Sequence, residues 1–132
     1  MIELVEHTGE LEMRLSAPTR ADLYSEALRG LAAEVSEAAG GGGAERRPVE
    51  IAASGPDTLL ADLLNEAIYL MDVEGFVATG LEVERLAGAT LHGTLVGVLD
   101  PRLRPLAKAA TYHGLAVRRT GEGWEGRVVL DV

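Results

Sequence analysis

The stretch from Leu59 to Met71 constrains the fold more than any other part of the chain. Apolar residues recur there at Leu60, Leu63, Leu64, Ala67 and Met71, while Asp62, Asn65, Tyr69 and Asp72 fall on another face. The spacing is helical, and so broad an apolar stripe has to be buried against another layer. Ser54-Gly55-Pro56-Asp57 supplies an N-cap candidate and an early-helix proline just before it. A less buried helix is predicted near residues 20–38. It starts after Pro18 at a Thr19-x-x-Asp22 cap and carries Tyr24, Leu28, Leu31 and Val35 at the same period.

The rest reads as strands. The first 16 residues are extended, and Leu11, Met13 and Leu15 alternate with Glu10, Glu12 and Arg14, which puts Glu10 on the polar side. Residues 46–54 form a short strand. After Gly75, Leu81 to Glu84 alternates, Ala87-Gly88 turns and Thr90 to Leu99 continues as a strand. Asp100-Pro101 opens a loop, and residues 108–119 and 123–132 make a hairpin around Thr120 to Gly123. The order β-α-β-α-β-β-β-β defines an α+β fold with two helices packed on a largely antiparallel sheet. Residues 1–132 make one domain, the right size for a single core. Residues 39–44 form a flexible Gly-rich loop. It is not a phosphate cradle, because Ala44-Glu45-Arg46 follows where a Walker loop needs Lys-Ser/Thr.

Charge narrows the function. There are 21 acids against 12 bases, for a net charge of −9. That balance opposes direct nucleic-acid binding and suits a basic partner or a hard cation. The arginine clusters (Arg46-Arg47, Arg102 with Arg104, Arg118-Arg119) are short and interrupted. With no cysteine, thiolate metal sites and thiol nucleophiles are excluded. No run is long and apolar enough to span a bilayer, and no signal pattern opens the chain, so the expected address is the cytoplasm.

No nucleophile constellation emerges: Ser16, Ser25, Ser36 and Ser54 lack a Gly-x-Ser-x-Gly setting. His7, His92 and His113 show no His-x-x-x-His spacing, and His92 reads as a structural strand histidine. Two places stand out. One is His7-Thr8-Gly9-Glu10, a turn into a strand, with Glu6 and Glu12 nearby. The other is Asp131 beside Val132. If Val132 is the natural end, two carboxylates lie on adjacent residues, and a divalent cation is one remedy for their repulsion. A solvated acidic end is the plainer alternative. Lys108 is the single lysine, either a strand-edge charge or a site fitted to a compact ammonium.

Three segments carry a family resemblance: Leu59 to Asp72, the run Lys108-Ala-Ala-Thr-Tyr-His-Gly114, and the ending from Trp124 to Val132. Together with the opening His7-Thr8-Gly9-Glu10 they resemble archease, in the right order over nearly the whole chain. The resemblance implies a non-enzymatic accessory protein of the GTP-dependent tRNA-splicing RNA ligase that joins 3′-phosphate ends. Such a protein promotes ligase guanylylation and multiple turnover. It also implies a calcium- or magnesium-like cation held by Glu10, Asp131 and Val132, with Lys108, Thr111, His113 and His7 serving the partner or activation. Alternation puts Thr111 and His113 on one strand face and Tyr112 on the other. Glu10 stands where the family pattern has Asp; its extra methylene moves the carboxylate about 1.5 Å, which Gly9 has the freedom to absorb. Two other classes remain: a stand-alone metal-dependent hydrolase, and a chaperone-like binding module, which would need an exposed apolar patch whereas the apolar residues here read as core faces.

Overall fold

The structure, a computed structural model, describes residues 1–36, 45–100 and 109–132. Its elements are β1 (Ile2–His7), β2 (Glu10–Ala17), α1 (Arg20–Val35), β3 (Glu45–Ala52), α2 (Pro56–Glu74), β4 (Phe76–Ala87), β5 (Thr90–Leu99), β6 (Ala109–Thr120) and β7 (Gly123–Asp131). The expected class and element order hold, with two refinements. The extended N-terminal segment folds back on itself as the hairpin β1–β2, turning at Gly9 with φ +74°. The strands also divide between two antiparallel sheets, β1-β2-β7-β6 and β3-β5-β4. The Gly-rich loop at 39–44 lies outside the described residues.

Local chemistry sets the helix ends. Thr19 caps α1, its Oγ1 accepting from the Asp22 N–H at 3.1 Å. The helix stops at Val35 with Ser36 as its C-cap, earlier than the expected residue 38. Gly55, one position past Ser54, is the N-cap of α2; Pro56 opens that helix and Gly75 ends it in a left-handed conformation. Because Thr19 satisfies an otherwise orphaned N–H, Thr19→Ala should cost about 1 kcal/mol. Urea unfolding checks this: the midpoint should fall at unchanged slope, and an unmoved midpoint would show the cap to be idle.

Both helices close one core. α1 packs on β2 of the larger sheet and β4 of the smaller, and α2 packs on β6 and β4. Leu60, Leu63, Leu64, Ala67 and Met71 are all buried, as their spacing required, and so are Tyr24, Leu28, Leu31 and Val35. The Tyr24 hydroxyl donates to the Pro56 carbonyl at 2.8 Å and ties the helices together. Asn65, on the polar side of α2, acts as a strand neighbour for β6. Its Oδ1 accepts from the Ala110 N–H at 2.8 Å and its Nδ2 donates to the Ala110 carbonyl at 3.1 Å. Among the described residues no helix is long and apolar enough to cross a membrane.

Candidate functional site

Register assembles the site. β2 lies between β1 and β7, and β6 flanks β7. His7 pairs with Glu10, Glu10 with Asp131, and Asp131 with Ala109. The next row on the same face is Val5, Glu12, Val129 and Thr111, followed by Glu3, Arg14, Arg127 and Ala116. Leu11, Met13 and Leu15 alternate onto the opposite face and enter the core. The ladder runs one bond past Asp131, where the Val132 N–H donates to the Gly9 carbonyl at 3.1 Å. Residues from the two ends of the chain therefore meet at one sheet end.

Glu10 and Asp131 are exposed and directly opposite each other, with Cα atoms roughly 5 Å apart by antiparallel geometry. Like charges in that position repel. Among the described residues neither has an ion-pair partner. Carboxylate oxygens are donors for hard cations, so the chemistry of the pair fits calcium or magnesium. Among the described residues, no three His, Cys, Asp or Glu side chains are grouped to hold a metal ion. A cation here thus needs oxygen from outside that set, and the ladder holds Val132 beside the pair.

Glu12 anchors the middle of this face. It is only 4% exposed. Its Oε2 accepts from Arg14 Nε at 2.5 Å and its Oε1 from Arg127 Nη2 at 2.9 Å. The Arg127 and Arg14 guanidiniums outweigh burial and hold its carboxyl pKa down to about 2. His7 Nε2 lies 3.7 Å from the same carboxylate. Sequence reading marked Glu12 only as a neighbour, because Arg127 is remote in the chain and no local pattern announces the pairing.

Thr111 sits beside Val129 with its hydroxyl buried and, among the described residues, without a hydrogen-bond partner. Beyond it the ladder is irregular: residues 112–115 stand against Val128 alone. Gly114 takes φ +64° in this bulge, and a Cβ there would fall 1.7 Å from Arg127 Nη1. That guanidinium donates to the Gly114 carbonyl at 2.7 Å across the bulge. His113, in the bulge, is exposed and outside the regular ladder. Tyr112 reaches α2 instead, donating to Asp62 Oδ1 at 2.6 Å. His92 is 41% exposed and faces Glu50 rather than a backbone group. Lys108 lies outside the described residues.

Fold and site together define a class: an α+β domain, with two helices and seven strands among the described residues and a carboxylate pair at the end of its larger sheet. The chain belongs to the archease protein family, whose profile matches residues 3–132. It is similar to the protein archease of Methanopyrus kandleri, at 32% identity over 98% of both chains. The protein archease of Methanosarcina acetivorans is 25% identical over 98% of this chain and 94% of its own length. Two solved structures share the fold. One is the solution structure of Methanobacterium thermoautotrophicum protein 1598, with a TM-score of 0.79 and 22% identity over 99% of this chain and 98% of that one. The other, with a TM-score of 0.65 and 21% identity over all of this chain and 98% of that one, is described as an archease and possible chaperone from Thermotoga maritima.

Proposed function

We propose that this protein is a cytoplasmic, metal-dependent accessory factor that activates a GTP-dependent, 3′-phosphate-joining tRNA-splicing RNA ligase. It does so by promoting ligase guanylylation and multiple turnover, and is not itself the catalyst. The carrying observation is the register that sets Glu10 opposite Asp131 and ties Val132 to Gly9. The three residues implied by the family resemblance, drawn from both chain ends, become neighbours on one exposed edge.

Glu10, Asp131 and Val132 would hold the cation through oxygen. Bound there, it neutralises facing carboxylates and offers positive charge to an anionic group. Glu12 fixes the two strands that carry the acids, through Arg14 and Arg127. Lys108, Thr111, His113 and His7 are assigned to the ligase contact. The net charge of −9 opposes direct RNA binding, so the effect passes through the protein partner.

A ligation time course with RNA in excess over the ligase of the same organism, with GTP and a divalent cation, tests the reading. Adding this protein should convert single turnover to multiple turnover and raise the guanylylated ligase fraction. Incubated alone, it should neither join nor hydrolyse RNA or nucleotide. Identical turnover with and without it would end the accessory-factor reading, and intrinsic hydrolysis would favour a metal-dependent hydrolase.

A further inference from the structure

A second feature of the same sheet face lies farther along the strands, at Arg14 and Arg127 rather than at Glu10 and Asp131. A groove of about 500 Å³ opens there. Arg14 of β2, Arg127 of β7 and Arg118 of β6 line it, as do the small residues Ala116 and Gly126. Glu3 and Glu125 are its lining carboxylates. Three guanidiniums thus converge on one groove in a chain whose net charge is −9, set against the lining acids Glu3 and Glu125 and the Glu12 carboxylate that contacts two of them.

The arginines are held in place. Arg14 and Arg127 are direct cross-strand partners, an arrangement that like charges oppose. Glu12 resolves it from beneath by giving one carboxylate oxygen to each guanidinium. The Gly114 carbonyl fixes Arg127 from another side. A guanidinium carries five N–H donors, and these bonds use only some of them. The remaining partners are loose: Arg14 is 3.6 Å from Glu3, and Arg118 is 3.1 Å from Glu125 across an exposed pair. Exposed ion pairs of this kind contribute little and give way to a better anion.

We propose that this groove binds a phosphate monoester of a small planar or apolar body. The phosphate would sit on Arg14, Arg127 and Arg118, and the body against Ala116 and Gly126. Phosphate suits the three guanidiniums because it offers several acceptor oxygens and close to two charges, and the planar fork matches it bidentately. The volume falls in the range of small-molecule sites and exceeds what a bare phosphate fills. The site is independent of the cation reading.

Calorimetry on the full chain in EDTA, with phenyl phosphate, inorganic phosphate and benzoate as probes, tests the proposal. Phenyl phosphate should bind one saturable site, more tightly than either of the other two. Arg118→Ala, at an exposed position, should weaken it about tenfold, the loss of a charge-assisted bond. Glu12→Gln should weaken it as well, although it removes negative charge, because it frees both arginines. Asp131→Ala should leave it unchanged, which separates this site from the cation pair. No saturable binding, equal binding by wild type and Arg118→Ala, or tighter binding by Glu12→Gln would each overturn the proposal. Equal binding of inorganic phosphate and phenyl phosphate would remove the ester body from it.

Discussion

Asp131→Ala is expected to abolish stimulation of ligase turnover while leaving the fold intact, and Glu10→Ala should do the same. Both side chains are exposed at the sheet end, so neither supports the core. Each, however, supplies half of a facing carboxylate pair. The two variants therefore separate a cation site from an ordinary acidic edge. Without divalent ions, removing either acid relieves like-charge repulsion and should leave thermal stability equal or slightly raised. With calcium, wild type should gain stability by mass action, and the variants should gain none. Glu10→Asp should retain function. If wild type and Asp131→Ala respond identically to calcium in thermal unfolding, and stimulate ligase equally, the cation site is wrong.

The fold was legible wherever periodicity was regular. Leu59 to Met71 and Tyr24 to Val35 announced helices by which residues had to be hidden, and those residues are hidden. The alternation of Leu11, Met13 and Leu15 fixed the inner face of β2 and hence the outward position of Glu10 and Glu12. The turns at Ala87-Gly88 and at Thr120 to Gly123 were legible, and so was the one at His7 to Glu10, but not that Ile2–His7 pairs back on Glu10–Leu15 as a separate strand. Division into two sheets was not readable either, because it depends on long-range pairing such as β2 with β7.

The site divided along similar lines. Residue types at the chain ends, joined to a family resemblance, nominated Glu10, Asp131 and Val132, and register brings them together. Strand alternation nominated Thr111 and His113 for one face, but it did not anticipate the irregular register between Thr111 and Ala116, where Gly114 takes a positive φ. A glycine inside a strand pattern is the available signal for such a break. Nothing local signalled that Glu12, spaced like any outward-facing strand residue, would be buried under two arginines.

That clamp supports the second large expected effect, the acid sensitivity of the fold. Glu12 has a folded-state pKa near 2 against an ordinary value of 4.5. A carboxyl whose pKa is depressed on folding adds stability that is fully present above its unfolded value and lost as pH falls through the folded one. Its contribution should therefore be constant down to about pH 4.5 and fade towards pH 2. Glu12→Gln removes the titrating group and leaves Arg14 opposite Arg127 with no anion between them. At pH 7 it should destabilise by about 1–3 kcal/mol, towards the lower end because both guanidiniums reach solvent. Other carboxylates titrate in the same window, so the diagnostic is the gap between wild type and variant. Urea unfolding at stepped pH should show that gap open at pH 7 and closing between about pH 4.5 and pH 2. A gap that stays constant to pH 2 would mean that Glu12 acts through packing, and the arginine clamp would lose its place as the link between β2 and β7.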